Sequence, residues 1–254
     1  MADNFNVLDQ QAAISPFQTV KSAGIVQGTN FIRKFGRNPD VDSGTTPEDV
    51  WDFGGLYPFP AAAAATTIVS SSANDAAAGT GMRTARVFGL DSSYNEIQED
   101  VTLNGLTPVA LVNSYLRVHR VFGLTFGSTG SNEGDVDTLH GATVLARITL
   151  GQGQTLMAIF TTPVTWSDVD VISSFVTIGR QAAAFAECAI FTRDFGSGGW
   201  RNRLTVDVHS QGFSFQGDGK VDRITISPRT DIRCTVNSVS ANNTAISAAF
   251  VLSN

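Results

Sequence analysis

Hydrophobic and polar residues alternate through most of the chain after residue 60, which is the period-two pattern of half-buried β-strands. In residues 96–103, Ile97, Val101 and Leu103 fall on one parity, and the tight-turn signal Asn104-Gly105 follows them. Comparable segments recur about every eight to twelve residues, separated by turns rich in Gly, Asn and Ser. No segment carries the period of an amphipathic helix of ordinary length. The pattern therefore predicts an all-β chain with sandwich or jelly-roll-like sheets.

The chain consists of three stretches that differ in sequence pattern. Residues 1–60 have little periodicity and much Pro and Gly punctuation, and they predict an extended N-terminal arm. Residues 61–150 predict a β-sandwich domain, and residues 151–254 predict a second β-sandwich or jelly-roll-like domain. The candidate strands after the linker are residues 85–90, 96–103, 109–112, 116–126, 142–150, 155–161, 169–178, 186–193, 204–209, 223–227, 231–236 and 245–252.

The arm carries an unusual number of aromatic side chains. They are Phe31, Phe35, Trp51, Phe53, Tyr57 and Phe59. Each aromatic ring left in water forgoes roughly 1.5–3 kcal/mol of burial, so an arm of this composition is predicted to lie against its own body or against a neighbouring subunit. These six residues are the predicted interface residues, and no catalytic, cofactor-binding or metal-ligating residue is predicted.

Composition narrows the class of partner. Charged residues make up only 16% of the chain, and the net charge is −6. Small polar residues fill the difference, which is typical of a virion or extracellular surface, or of a surface covered by neighbouring subunits. Because phosphate neutralisation needs clustered Lys and Arg, no nucleic-acid partner is expected. No signal peptide and no apolar run long enough to span a bilayer is found, so no membrane partner is expected.

Motifs of enzymatic chemistry are missing from the sequence. The three histidines are scattered, and no serine-hydrolase elbow, zinc-protease helix or phosphate-binding glycine loop is present. Residues 132–137 place carboxylates at alternate positions but lack the full spacing of a calcium loop, so a solvated hairpin tip is favoured. A glycosidase needs two paired carboxylates, for which Glu99/Asp100 and Asp168/Asp170 are the candidates. Pairs this close in sequence are expected by chance, so they do not indicate a glycosidase. The chain is therefore predicted to be non-enzymatic and to need no cofactor.

The two cysteines and two of the tryptophans leave alternatives open. Cys188 and Cys234 lie in apolar, strand-like contexts, where buried free thiols are favoured over a disulfide. Trp166 and Trp200 lie in turn regions, where each could anchor an interface or stack on a sugar.

Short segments in all three stretches resemble uncharacterised structural proteins of tailed-phage virions. In the arm they are residues 33–40 (RKFGRNPD) and 47–57 (PEDVWDFGGLY), and in the middle they are residues 89–97, 101–105 and 115–117. In the last stretch they are residues 154–163 (QTLMAIFTTP) and 230–233 (TDIR). The resemblance implies a virion component and implies no catalytic residue.

Together these observations predict a structural virion protein, localised in the virion. A capsid decoration (cement) subunit that clasps its neighbours is preferred, with the major capsid protein as the expected partner. A homo-oligomer is expected, with a trimer as the first candidate. The alternatives are a collar, tail or baseplate component, or a glycan-binding protein that recognises a receptor.

Overall fold

The computed structural model describes residues 31–179, 185–209, 213–216 and 224–253, and of residues 213–216 it describes the backbone alone. All regular structure in these residues is β, and all of the strand pairs are antiparallel. The fold class predicted from the alternating pattern is confirmed. No helix in the described ranges is long and apolar enough to cross a membrane.

The first sandwich is formed by the middle of the chain and contains two sheets. Its four-stranded sheet has the order β6-β3-β8-β9, with strands β3 (Ala64–Ser70), β6 (Val109–Tyr115), β8 (Val136–His140) and β9 (Thr143–Ile148). Its three-stranded sheet has the order β5-β4-β7, with strands β4 (Met82–Leu90), β5 (Glu96–Thr102) and β7 (Arg117–Phe126). Buried side chains from both sheets, such as Ile68, Val87 and Ile148, form one hydrophobic core.

The second sandwich combines strands from both ends of the described chain. Sheet A contains β1 (Phe31–Val41), β17 (Thr244–Ser253), β11 (Val169–Ile178) and β14 (Phe213–Gln216) in that order, and β15 (Ile224–Ile226) also pairs with β11. Sheet B contains β10 (Ile159–Thr161), β16 (Asp231–Val239), β12 (Ala186–Arg193) and β13 (Arg201–Val208) in that order, and β2 (Glu48–Asp49) also pairs with β16. Their facing side chains form a second hydrophobic core.

Strand β17 shows how the sequence pattern produces this packing. Ile246, Ala248, Phe250 and Leu252 are buried between sheets A and B, whereas the alternate positions 245, 247, 249 and 251 are only partly buried. Successive side chains of a strand point to opposite faces, so the apolar parity turns inward and the small-residue parity turns outward.

The described part of the predicted arm, residues 31–60, is extended chain that lies against the body. Strand β1 runs antiparallel to β17, with Phe31 opposite Ser253 and Asn38 opposite Ile246. At Gly36 an added Cβ would lie 2.2 Å from the backbone nitrogen of Ala158, so only glycine permits β1 to pass this closely. Residues 1–30 of the predicted arm lie outside the described residues.

Buried polar contacts fix the remainder of the arm. Asn38 donates to the Glu48 carboxylate at 2.9 Å, and Glu48 also accepts the backbone N–H of Gly55. Asp49 accepts the backbone N–H of Tyr57 at 2.8 Å and the hydroxyl of Thr235 at 2.7 Å. Burial raises the pKa of Asp49, with the nearby Arg233 opposing the shift. These contacts hold the arm segments 33–40 and 47–57 against each other, and the bond from Thr235 to Asp49 fixes them to strand β16.

Candidate functional site

Three of the six predicted interface aromatics are buried in the chain itself. Trp51, Tyr57 and Phe59 form a row with ring centroids 5.2 and 4.7 Å apart, and the row ends on Trp200 of the second sandwich, 4.9 Å from Phe59. They belong to the core of the first sandwich, and Trp51 is only 2% exposed. Of the two possibilities left open by the sequence, own body or neighbour, the structure places these three rings against their own body.

The other three aromatics keep some exposure. Phe53 is 44% exposed, and the guanidinium of Arg147 lies 4.8 Å above its ring. Phe31 and Phe35 on β1 are partly buried. These three are the residues of the predicted set that remain accessible to a partner.

Phe35 belongs to the outward-facing surface of sheet A. Phe35 is opposite Ala249 on β17, and Ala249 is opposite Phe175 on β11. Directly opposed residues of neighbouring strands share a face, so these three side chains form one row across the sheet. Phe175, at the β11 end of this row, is 46% exposed.

The neighbouring rows of the same face are small or uncharged, apart from arginines on β1. One row holds Arg33, Val251 and Ser173, and the other holds Arg37, Ser247 and Thr177. Both arginines are exposed and lie on the edge strand. We call the three rows together the outer face of sheet A.

A buried charge network joins the two sandwiches. Arg117 on β7 donates Nε and Nη2 to the two carboxylate oxygens of Asp231 on β16, at 3.1 and 3.2 Å. Arg193 on β12 donates to the same carboxylate at 2.6 Å, and the hydroxyl of Thr161 does so at 2.6 Å. Arg117 is 3% exposed and Asp231 is 5% exposed. Both residues lie in segments that carry the resemblance to phage structural proteins, and the structure assigns them a role in holding the sandwiches together.

A second polar contact between the sandwiches involves Lys34 and His119. The ammonium of Lys34 donates to the backbone carbonyl of His119, at the floor of a cleft of about 320 Å³. Burial, with a smaller contribution from Arg120, lowers the pKa of Lys34 to about 7. Burial and the charges of Lys34 and Arg117 hold the pKa of His119 well below its ordinary value. His119 therefore stays neutral and accepts the backbone N–H of Thr161 at 3.3 Å.

The acidic loop at residues 132–137 does not gather its carboxylates around one point. Glu133 accepts the amide of Asn74, while Asp137 forms a two-bond ion pair with Arg147 at 2.7 and 2.6 Å. No group of three or more His, Cys, Asp or Glu residues that could hold a metal ion occurs in the described ranges. The carboxylates of this loop serve to fix the hairpin.

Of the carboxylates considered for glycan hydrolysis, Glu99 and Asp100 are adjacent in β5 and point to opposite faces of the strand. Asp100 pairs with Arg86, which lowers the pKa of its carboxyl, while Glu99 accepts the backbone N–H of Val112 and of Asn113. Asp170 accepts the hydroxyl of Thr225. Each of these three carboxylates is engaged in a local structural bond.

Both tryptophans considered for sugar stacking have packing partners within the chain. The guanidinium groups of Arg193 and Arg233 lie 4.7 and 4.1 Å from the ring of Trp200. Trp166 packs 5.5 Å from the ring of Phe160 and donates its indole N–H to Glu96 at 3.3 Å. Both rings contribute to packing instead.

Cys188 and Cys234 are free, buried thiols, as the sequence favoured. Ile190 lies opposite Cys234, and Cys188 lies opposite Val236, so the two thiols are diagonal neighbours on strands β12 and β16. Burial raises the pKa of Cys188 to about 12 and also raises that of Cys234. Thiols held protonated in this way are weak nucleophiles.

No protein-family model matches the chain, and no curated protein matches it. The solved structure of infectious bursal disease virus, Gx strain, aligns at 10% identity and a TM-score of 0.25, covering 89% of this chain and 71% of that chain. The infectious bursal disease virus VP2 subviral particle aligns at 12% identity and a TM-score of 0.20, covering 89% and 71%. At such TM-scores the likeness carries no argument about fold or function.

Proposed function

We propose that this protein is a structural, non-enzymatic subunit of a tailed-phage virion. The preferred role is that of a capsid decoration (cement) subunit, and the alternative role is that of a collar, tail or baseplate component. The observation that carries the proposal is the outer face of sheet A, on whose three rows β17 and β11 present no charged side chain and Phe175 is 46% exposed. The resemblance of the short segments and the 16% content of charged residues support the same role.

The occupant of the outer face is a second copy of this chain. The three strands β1, β17 and β11, each about ten residues long, present a surface of roughly 14 by 33 Å, or about 480 Å². That area is of the same order as the roughly 800 Å² that each partner buries in a standard protein interface. Arg33 and Arg37 along the β1 edge favour an acidic partner, and a second copy with net charge −6 provides one.

Mass measurement of the purified chain tests this proposal. The wild-type protein is expected to be a homo-oligomer at micromolar concentration, with a trimer as the first candidate, and Phe175→Asp is expected to shift it to monomer. Val112→Asp is the matched control, because Val112 is 93% exposed on the first sandwich, away from sheet A. Circular dichroism would verify that both variants fold.

Two results would count against the proposal. One is a monomeric wild-type protein at high micromolar concentration, and the other is an oligomer that Phe175→Asp leaves intact. The position of the protein in the virion is tested separately, by adding the purified protein to virions or capsids that lack it. Saturable binding to heads supports decoration, whereas binding confined to tails or portal structures supports the collar or tail alternative.

A further inference from the structure

A second cleft, of about 250 Å³, opens between the two sandwiches and has a different character. Part of its lining is aromatic, with Phe59, Tyr94 and Phe195. Arg193, Arg229 and Asp231 add charged groups among these rings. We call it the arginine cleft.

The charges of the arginine cleft do not balance. Asp231 is shared by Arg117 and Arg193, so one carboxylate faces two guanidinium groups. Asp194, which also lines the cleft, is paired with Arg201 at 2.8 Å. Arg229 therefore adds a positive charge that no carboxylate at the cleft neutralises.

Arg229 is held in place by an aromatic ring. Its guanidinium lies 4.0 Å from the ring centroid of Phe195, and within the described ranges it makes no hydrogen bond or ion pair. Arg193 donates Nε and Nη2 to Asp231, and no bond of its Nη1 is found in the same ranges. Stacking orients the Arg229 fork while leaving all of its N–H donors available to a ligand in the cleft.

The backbone at this cleft adopts an unfavourable conformation three times. Phe59, Tyr94 and Arg229 have φ values of +42°, +66° and +60°. The described ranges contain four non-glycine residues with positive φ, and these are three of them. A non-glycine residue is disfavoured in the left-handed backbone conformation. Such residues tend to cluster at ligand sites, where the surrounding structure holds them.

We propose that the arginine cleft binds a carboxylate-bearing sugar, as one residue of an acidic glycan. The carboxylate accepts two hydrogen bonds from the Arg229 fork and one from Nη1 of Arg193. The apolar face of the sugar ring packs on Phe195, which is 55% exposed, and on the edge of Tyr94, whose ring lies 5.5 Å from that of Phe195. This inference goes beyond the virion role and does not depend on it.

Size and the aromatic lining favour a sugar acid over other anions. A volume of 250 Å³ is larger than a phosphate or an acidic side chain fills, and it accommodates one sugar ring with its substituents. The excess of guanidinium over carboxylate groups attracts an anion but does not by itself select a carboxylate. The aromatic residues of the cleft give binding surface to a ring, and they give none to a bare phosphate.

Titration of the full-length protein followed by NMR tests the proposal. The probe is methyl β-glucuronide, and the comparison is methyl β-glucoside, which has the same ring without the carboxylate. The glucuronide is expected to bind at millimolar concentration or tighter, at least tenfold more tightly than the glucoside, and more weakly as salt is raised. Arg229→Met, which keeps the apolar stem, is expected to weaken binding at least tenfold, and Phe195→Ala about fivefold. Arg86→Met, at an exposed arginine of the first sandwich, is the matched control.

Several results would overturn the proposal. They are equal binding of glucuronide and glucoside, binding that survives both Arg229→Met and Phe195→Ala, and tighter binding of inorganic phosphate or N-acetylglutamate than of the glucuronide. Thermal melts accompany each variant, and if Arg229→Met fails to fold, the loop variant Phe195→Ala decides the outcome. The measurement is made on whatever oligomer the chain forms, so failure of the assembly proposal leaves it interpretable.

Discussion

Asp231→Asn is the sharpest test of how the two sandwiches are held together. The substitution keeps the shape of the side chain and removes its charge, while Arg117 stays 3% exposed with no counter-charge from the carboxylate. Arg193 and Thr161 lose their charged acceptor at the same time. The amide of Asn can accept at only one of its two terminal atoms, so the two-bond arrangement with Arg117 cannot be kept.

The expected loss is large on the scale of a folded domain. Removal of one partner from a buried, hydrogen-bonded ion pair costs about 3–5 kcal/mol, because a charge is left in a poorly solvated place. For a chain of this size, each kcal/mol lowers the melting temperature by about 2–4 °C. Asp231→Asn should therefore lower it by roughly 6–20 °C.

The matched control is Asp100→Asn. Asp100 forms the same two-bond pair with Arg86, at 2.5 and 2.7 Å, but both side chains are substantially exposed to solvent. An exposed pair is worth at most about 1 kcal/mol, so this variant should melt within a few degrees of wild type. The two variants are compared by urea unfolding and thermal melts. Equal, small effects of both substitutions would refute the assignment of Asp231 as the link between the sandwiches.

Two further predictions concern buried residues of the arm. Trp51→Ala should lower the free energy of unfolding by about 3–5 kcal/mol, whereas Phe53→Ala, at an exposed ring, should lower it by under about 1 kcal/mol. Urea unfolding measures both values, and equal effects would contradict the core position of Trp51. Lys34→Met should stabilise the protein at pH 6 by a few kcal/mol and progressively less as the pH rises from about 7 towards 10.5. The sign follows because burial lowers the folded-state pKa of Lys34, so the unfolded chain binds the extra proton in this interval and wild-type stability rises with pH. The urea midpoints of wild type and Lys34→Met are compared at pH 6 and at pH 9.5. A difference between the two proteins that is the same at both pH values would contradict the prediction.

The sequence predicted the elements of this fold because their signals are local. Ile97, Val101 and Leu103 were assigned to one face from parity alone, and the structure turns Val101 and Leu103 into the core with Ile97 packed against it. Gly105 in the predicted turn has φ +57°, which is the conformation that glycine supplies. The free state of Cys188 and Cys234 likewise followed from their apolar neighbours.

Local sequence patterns could not predict which strands pair when they are distant in the chain. Strand β1 pairs with β17, more than 200 residues away along the chain, and no local pattern encodes that choice. The arm aromatics were recognised as needing burial, but hydrophobic burial has no direction, so the pattern could not distinguish their own core from a neighbour. Arg117 and Asp231 lie in segments that resemble phage structural proteins, but the resemblance implies no role for either residue. A charged residue at an apolar strand position, as in Leu116-Arg117-Val118, is the signal that would have marked them.

The buried charges also account for the fixed relation of the two sandwiches. An apolar contact between two sheets is non-directional, so one sandwich could slide on the other at small cost. Asp231 has its oxygens filled only when Arg117 of one sandwich and Arg193 of the other both reach it, and a shift of a few ångström would leave a buried charge unpaired. The outer face of sheet A and the arginine cleft therefore belong to one rigid body. The proposed virion role would require such rigidity, because an error in the angle between the two halves of a repeated subunit would be multiplied around the assembly.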